Sequence, residues 1–488
     1  MTFKLYDTLS RSLTDFKPIR PGRASLYVCG PTVYDHAHIG HARASVAFDV
    51  LARHLKASGH ELDYVRNYTD IDDKIIVRAR ERGLDWKEMA EGFIKSFSED
   101  MAELNCLEPT RAPRATEYIQ EMLDDISKIV ENGHAYVLDG DVYFDVASLE
   151  SYGRLSGREI ESAEPGARVE VNDRKKNPAD FALWKASKPG EPSWPSPWGP
   201  GRPGWHIECS TMSAKLLGDS FDIHGGGQDL VFPHHENEMA QSAALGRPMA
   251  NIWTHNGFVN INREKMSKSL GNTFNVKEIF KLFPPEVLRF FLLSSHYRGP
   301  VDFSDEALRE SSRGLERIYR TVEAAFDFLG IPGDGAPSEL PTTDGEGEIP
   351  EAAVFREKFS EALDDDLNTS GALGHLFDAV RLLNKKMTAG DKTAAKSLLK
   401  VLFSFGDELG LKFSEPRAFL KRFGEIGLAR FKGETENRSP ELIEEMVAER
   451  EKARSRKDWT EADRLRDELA KLGVVLEDKG AQTSWRFS

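Results

Sequence analysis

The chain has 488 residues, 40% apolar and 30% charged, with a formal net charge of −15 and three cysteines. Such a length predicts several packed units, the composition excludes a disordered tail-like protein, and the charge argues against a protein that coats nucleic acid through bulk electrostatics. Cys29, Cys106 and Cys209 are too few and too scattered for a disulfide framework. No apolar run approaches the roughly 18 residues of a membrane span, and Met1 to Asp7 has no signal-like apolar core, so a cytoplasmic protein with reduced thiols and no membrane contact is expected.

In chain order, Ser25-Leu26-Tyr27-Val28-Cys29 predicts a buried strand closed by Gly30-Pro31. Gly40 to Lys56 predicts a helix, with Ala44, Ala47, Phe48, Leu51 and Leu55 at helical spacing; after Gly59 a second strand runs from Leu62 to Val65. Such β-loop-α-β units build parallel sheets and place ligands at the carboxyl ends of the strands. A helix over Thr116–Glu131, a strand pair (Ala135–Leu138, Val142–Val146) and the Pro/Gly-rich, Trp-bearing stretch Lys188–Trp205 then intervene. A second α/β half follows: a strand Phe221–His224 ending in Gly225-Gly226-Gly227, a helix from about Pro233 to Leu245, a strand Ile252–Val259, a loop Asn262–Asn272 and a helix from Val276. From about Pro285 the pattern is helical, with an aperiodic loop over Ile331–Pro350. The last segment carries a charged helix, another from Thr460 to Leu472, and a strand Val474–Leu476. The expected fold is α/β: a Rossmann-type parallel-sheet domain split by an insertion, then an α-helical bundle and a small C-terminal domain. Its units are 1–110 and 204–284 for the two sheet halves, 111–203 for the insertion, 285–425 for the bundle and 426–488 for the C-terminal domain.

Two short motifs carry phosphate chemistry. His38-Ile39-Gly40-His41 lies at the loop-to-helix junction after the first strand, where two imidazoles join free backbone N–H groups at the positive end of a helix. Lys265-Met266-Ser267-Lys268-Ser269 offers two lysines and two hydroxyls on a Gly-bounded loop, suited to clamping a polyphosphate. Each taken alone also reads as an ordinary solvated segment. Their order, one after the first strand of one half and the other after the last strand of the second half, raises their meaning sharply.

In that order and on that split sheet, the two motifs resemble the signatures of class I aminoacyl-tRNA synthetases. Further stretches are similar to the cysteinyl-tRNA synthetases: Cys29-Gly30-Pro31-Thr32-Val33-Tyr34-Asp35, Asn67 to Lys74, Gly204 to Ser210, His224 to Leu230 and Phe232 to Glu238. The resemblance covers nearly the whole chain. The ending, Ser484-Trp485-Arg486, departs modestly from the Gly-Thr-x-Trp-Arg of that family.

What the resemblance implies is a ligase that activates L-cysteine with ATP and passes it to the 3′ end of tRNA(Cys). His38, His41, Lys265 and Lys268 would be catalytic, and ATP would lie over them and over Gly40, Gly226, Asp229, Met266, Ser267 and Ser269, with Mg²⁺ on its phosphates. Asp229 reads equally as a helix N-cap. Cys29, Cys209, His234 and Glu238 would hold one Zn²⁺; the last two are four apart, on one face of a helix, and two thiolates, an imidazole and a carboxylate suit tetrahedral zinc. Without the resemblance, two separated cysteines read as small buried hydrophobes. Zinc answers a selection problem. Cysteine and serine differ only by sulfur for oxygen, and an apolar pocket separates such near-isosteres poorly. A substrate thiolate on zinc supplies several kcal/mol, and about 5 kcal/mol is roughly 10³–10⁴-fold, so no separate editing site is implied.

Gly30, Thr69, Trp205 and His224 resemble the residues lining the cysteine pocket, while His206 reads as a core histidine and Cys106 as packing. Arg309, Arg313, Arg317 and Arg320 form a stripe that either pairs with Glu306, Glu310 and Glu316 or meets tRNA phosphates. Arg450, Arg454, Lys457, Trp459, Arg464, Arg466, Trp485 and Arg486 mix cations with aromatics, as base stacking needs. A monomer is expected. Three rivals stand beside this reading: the same adenylate chemistry with an amino sugar as acceptor, a zinc hydrolase built on His234 and Glu238, and a catalytically silent tRNA-binding protein.

Overall fold

The computed structural model describes residues 2–158, 174–261, 264–265, 274–334, 349–434, 440–456, 458–471, 474–479 and 482–487. An antiparallel hairpin, β1 (Lys4–Asp7) and β2 (Ser12–Asp15), precedes the first parallel strand, β3 (Arg23–Val28). Helix α1 (Ile39–Ala57) crosses back to β4 (Glu61–Arg66), and α2 (Asp73–Arg82) and α3 (Trp86–Glu103) follow. After α4 (Ile119–Glu131), the strands β5 (Ala135–Leu138), β6 (Asp141–Phe144), β7 (Phe181–Ala186) and β8 (Gly201–Pro203) form an antiparallel sheet of their own. Then α5 (Trp205–Leu217), β9 (Ser220–Gly227), α6 (Glu236–Ala244) and β10 (Met249–Asn256) return to the main sheet, whose order is β10-β9-β3-β4, all parallel. Both faces of this sheet are covered, so β3 reads as a continuous apolar run: Leu26 and Val28 pack towards α1, Tyr27 towards the insertion side, and all three are buried.

Strands β11 (Val259–Ile261), β12 (Glu264–Lys265) and β13 (Val301–Phe303) make a small mixed sheet around α7 (Val276–Leu282) and α8 (Pro285–Leu293). The bundle comprises α9 (Asp305–Leu329), α10 (Pro350–Asp364), α11 (Thr369–Thr388), α12 (Lys392–Leu409) and α13 (Pro416–Glu434). Helices α14 (Pro440–Ser455) and α15 (Trp459–Lys471) and the hairpin β14 (Val474–Lys479) and β15 (Gln482–Phe487) close the chain.

Two features depart from the expectations of the sequence, the hairpins at the two ends of the chain. The N-terminal hairpin was not expected; it is tied to β10 by Thr8 N donating to the Trp253 carbonyl at 2.7 Å and Trp253 N to Asp7 Oδ1 at 2.9 Å. The helix expected from Pro233 is present: Phe232 is extended (φ −139°, ψ 131°), and Pro233 to His235 form a wide helical turn that runs directly into α6. The strand expected at Val474–Leu476 is one arm of a hairpin, whose other arm is mostly polar and therefore carried no apolar signal. Most of the loop expected over Ile331–Pro350 lies outside the described residues.

Helix α1 carries the contacts between sheet and bundle. Gly225 lets it lie directly on β9, since a Cβ there would stand 2.3 Å from the Phe48 ring. Near its end, His54 is buried with Nε2 3.0 Å from Asp364 Oδ1 of α10 and Nδ1 3.2 Å from Glu408 Oε2 of α12. Burial alone would lower its pKa, but the hydrogen bonds and charges of the two carboxylates win and raise it. A folded-state pKa above the unfolded one stabilises the protein fully below about 6.5 and loses that stabilisation as pH rises through the folded value. The difference in Tm between the native chain and His54→Asn should therefore be widest near pH 6 and shrink towards pH 9; a pH-independent difference would show that His54 is neutral there.

Candidate metal centre and nucleotide cleft

The carboxyl ends of β3, β4 and β9 meet at a buried cluster. Cys29 follows β3 and its N–H donates to the Gly225 carbonyl at 3.0 Å. Cys209 comes from α5; His234 and Glu238 come from the start of α6 and the turn before it. Donor atoms of Cys29, Cys209, His234 and Glu238 all lie within 4.8 Å of one another. His234 Nε2 is 2.9 Å from Glu238 Oε1, so the four-residue spacing keeps these side chains together although the regular helix starts at Glu236. Cys29 Sγ donates to the same Oε1 at 3.3 Å.

The buried charges of the cluster are balanced against one another. Burial would neutralise Glu238, but His224 and His234 hold its pKa well below the usual range. His234 is raised to about 10, Glu238 and Cys209 outweighing the burial that opposes it. Between the thiols, burial and then Cys209 push Cys29 up; Cys209, despite burial, falls to about 6 through hydrogen bonds from Cys29 and His234. A second donor set, Cys29, His224, His235 and Glu238, overlaps the first within the same 4.8 Å limit. The first set has two sulfurs, the donor chemistry that suits zinc.

Supporting groups fix these ligands. His234 Nδ1 lies 2.9 Å from Nδ1 of His206, and Trp205 stacks on the His234 ring at 4.1 Å. Burial, then His234, lowers the pKa of His206 far below 6.5, so His206 is a neutral acceptor that keeps the proton on His234 Nδ1 and turns Nε2 to the cluster. His206 thus does more than fill the core. Its signal in the sequence was only its place beside Trp205. Asn67 Oδ1 accepts from Gly30 N at 2.9 Å and from Cys209 Sγ at 3.7 Å. A Cβ on Gly30 would stand 1.6 Å from the Asn67 carbonyl oxygen, so no side chain fits there. Thr69 is buried and donates its hydroxyl to Glu208 at 2.5 Å. His224 is fully buried below the cluster, stacked on Tyr27 at 5.3 Å, with Nε2 3.7 Å from Cys29 Sγ. His235 Nδ1 lies 2.8 Å from His255 Nε2, and His255 Nδ1 lies 2.7 Å from Thr8 Oγ1. Asn67 and Glu208 lay within the family-like stretches with no role assigned, and His255 carried no signal, because only the fold brings them to the ligands. Cys106 stands apart, its pKa pushed up by burial to about 12.

The phosphate motif sits at the N-terminus of α1. His38 is the N-cap, its Nδ1 accepting from Gly40 N at 3.1 Å, while His41 Nδ1 accepts from His38 N at 3.2 Å; the rings stack at 3.8 Å. Ile39 N donates to the Phe274 carbonyl at 3.0 Å and Val276 N to the Ala37 carbonyl at 2.9 Å. The segment just after Lys265-Met266-Ser267-Lys268-Ser269 is thereby sewn to His38-Ile39-Gly40-His41. Lys265 lies on β12, opposite Asn260, whereas Met266, Ser267, Lys268 and Ser269 lie outside the described residues. Gly226 has no room for a side chain, with His235 Cε1 2.8 Å from the site of a Cβ. Asp229 is exposed just beyond β9 and caps none of the helical turns that follow.

Of the arginine stripe on α9, Arg309 pairs with Asp305 (2.8 Å) and Arg320 with Glu316 (2.9 Å), while Arg317 lies over Phe377. In the C-terminal unit, Arg450 and Arg454 both donate to Thr483 Oγ1 at 3.3 Å, Arg464 pairs with Glu461 and Glu468, and Trp459 is 59% exposed. Lys457 and the side chains of Trp485 and Arg486 lie outside the described residues. Among the described residues, no helix is long and apolar enough to cross a membrane.

Three family models match the chain: a class I (C) tRNA synthetase catalytic domain over residues 15–313, a DALR domain over 358–414, and a cysteinyl-tRNA ligase anticodon binding domain over 437–486. A cysteine–tRNA ligase of Geobacter metallireducens is 52% identical over 493 residues, covering 100% of both chains, and that of Geobacter sulfurreducens is 50% identical with the same coverage. Among solved structures, Mycobacterium tuberculosis methionyl-tRNA synthetase with methionyl-adenylate aligns at TM-score 0.58 and 14% identity, over 83% of this chain and 94% of that one. The LeuRS–tRNA–LeuAMS complex from Agrobacterium radiobacter K84 aligns at TM-score 0.59 and 13% identity, over 82% and 87%. These last two share the fold.

Proposed function

The chain belongs to the cysteine–tRNA ligase family of class I synthetases, and we propose how its own residues divide the work of activating L-cysteine and loading it onto tRNA. The observation that carries the proposal is the convergence of two thiols, an imidazole and a carboxylate at the carboxyl ends of the strands that also lead into His38-Ile39-Gly40-His41. Cys29, Cys209, His234 and Glu238 would hold Zn²⁺. Bound there, zinc would supply a soft acceptor for a thiolate and a poor one for a serine hydroxyl.

Around it, Trp205 and His224 shape the cysteine pocket, and Gly30 leaves it open. Thr69 donates its hydroxyl proton to Glu208, so its oxygen presents lone pairs that would accept from the substrate ammonium. ATP would lie across the N-terminus of α1, with its phosphates near His38, Gly40 and His41 and its nucleoside near Gly226 and Asp229, whose exposed carboxylate suits a ribose hydroxyl. A carboxylate oxygen of cysteine attacks the α-phosphorus, and the bond to the pyrophosphate oxygen breaks. Lys265 and Lys268, with Met266, Ser267 and Ser269 beside them and Mg²⁺ on the phosphates, would stabilise the departing charge. A terminal ribose hydroxyl of tRNA then attacks the activated carboxyl carbon. The ester forms, AMP leaves with the bonding pair, and the hydroxyl proton is released. No protein nucleophile takes part; positioning and charge stabilisation suffice.

Helices α9 to α13 and the C-terminal unit would take the tRNA, with exposed Trp459 available for stacking. The anticodon-domain match over 437–486 supports tRNA over an amino sugar as acceptor, and the synthetase catalytic-domain match over 15–313 supports a ligase over a hydrolase. A monomer working in the cytoplasm, in keeping with three free thiols, completes the proposal. Its test is cysteine-dependent ATP–pyrophosphate exchange with serine as control, metal content measured on the same sample, and then charging of tRNA against transfer to an amino sugar. Exchange with cysteine alone, one zinc per chain and tRNA charging are expected. Equal exchange with serine would remove the metal-based selection, and transfer to the amino sugar in place of tRNA would overturn the acceptor.

A further inference from the structure

The last turn of α12 is held by the sheet domain residue by residue. The Asp407 carbonyl accepts from Arg53 Nη1 at 2.8 Å, the Glu408 carboxylate meets His54 at 3.2 Å, the Leu409 carbonyl accepts from Arg289 Nε at 2.6 Å, and the Gly410 carbonyl accepts from Asn105 Nδ2 at 2.9 Å. Four consecutive residues of the bundle thus engage α1, the exit of α3 and α8. The socket is itself braced. Asp49 pairs with Arg289 and with Arg53 (2.8 Å) and accepts from Leu107 N at 2.6 Å; the Asn105 carbonyl accepts from Arg53 Nη2 at 2.7 Å. Arg289 is 0% exposed and Asp49 1%. Gly410 is left-handed (φ +66°), and a Cβ there would stand 2.2 Å from the Arg289 guanidinium, so the socket admits only glycine at that point.

A buried ion pair adds little stability compared with well-packed apolar side chains, because desolvation offsets the attraction. Its directional bonds, however, fix orientation, and cations suit the negative end of a helix. The socket also has a particular address. Arg53 lies on the same rigid helix as Gly40, thirteen residues or about 20 Å along it, so one helix touches the nucleotide cleft at its start and the bundle at its end.

We propose that this socket sets the bundle, and the tRNA it carries, at a fixed orientation to the adenylate, and that Arg53, Asn105 and Arg289 are positioning residues for transfer and not for activation. The inference rests on the reading that the bundle and C-terminal unit bind tRNA. Activation needs groups at the carboxyl ends of the parallel strands and the Lys265–Ser269 segment; transfer also needs a ribose hydroxyl delivered by the other unit, where a displacement of 1 Å costs about 10²-fold.

The test uses the full chain with Asn105→Gly, which removes the amide while suiting the left-handed backbone there (φ +55°), and with Arg53→Gln, alone and together. Pyrophosphate exchange and the KM for tRNA should stay near native values, while Tm falls in the Arg53→Gln variants because Asp49 loses a partner. The kcat for charging should fall about tenfold in each single variant and about 10²-fold in the double. Arg53→Lys, which keeps a donor, should recover much of the loss. A parallel fall of exchange and charging, or an undiminished charging kcat in the double variant, would overturn the proposal. A native chain that exchanges pyrophosphate but cannot charge tRNA would instead remove the reading on which it rests.

Discussion

Cys209→Ser should strip metal and amino-acid selection from the protein together while leaving it folded. The substitution is nearly isosteric at a position only 1% exposed, so packing changes little. What changes is the donor. Against the effect of burial, hydrogen bonds from Cys29 and His234 lower the pKa of the Cys209 thiol, which favours the thiolate that a metal needs. A serine hydroxyl stays protonated and is a hard, weak ligand for zinc. Metal content should fall well below one per chain. Exchange supported by cysteine should drop by about 10²–10³, roughly 3–4 kcal/mol, while the small exchange with serine changes far less, so discrimination collapses. Metal analysis and exchange with both amino acids on one sample check this. Full metal content with an intact cysteine-to-serine ratio would take Cys209 out of the ligand set.

The second large effect belongs to Lys268→Ala, which should slow adenylate formation by about 10² or more, as expected for a lost charge beside a departing polyphosphate. Lys268 lies outside the described residues, and only the residues on either side of its segment are placed. Lys265 is on β12, and the carbonyl of Phe274 accepts from Ile39 N, inside the phosphate motif itself. Eight residues, 266–273, join those two points. The loss should fall mainly on kcat, because the charge is needed most as the bond to pyrophosphate breaks. Metal content and Tm should stay native. Unchanged exchange would sink the assignment.

Much of this site is legible in the order of the residues. The strand at Leu26, the helix beginning near Gly40 and the glycine-ended strand at His224 are visible because apolar periodicity and glycine punctuation are local properties of the chain. The four proposed ligands are legible only through the resemblance, since two cysteines 180 positions apart say nothing about their distance in space. The groups that hold those ligands escape such a reading. His206 looks like a core histidine, Asn67 and Glu208 stand in family-like stretches without a visible role, and His255 looks like nothing in particular, because a hydrogen bond between residues far apart in sequence leaves no periodic trace. The hairpin ahead of β3 escapes for a related reason: its pairing partners and its ties to Trp253 are fixed by contacts, not by pattern. The helical turn at Pro233 was legible in the spacing of His234 and Glu238, whereas the extended backbone of Phe232 just before it was not.

By itself, then, the sequence determined the parallel-sheet architecture, the two phosphate motifs and, through resemblance, the chemistry. Those are set by short-range periodicity and by residue types whose chemistry does not depend on context. Tertiary structure alone decided that Cys29 and Cys209 meet at one buried cluster, that His206 lies against His234, and that α12 ends in a socket built from Arg53, His54, Asn105 and Arg289. Each of these depends on burial and on distances of a few ångströms between residues up to several hundred positions apart, quantities that arise only when the chain has closed on itself.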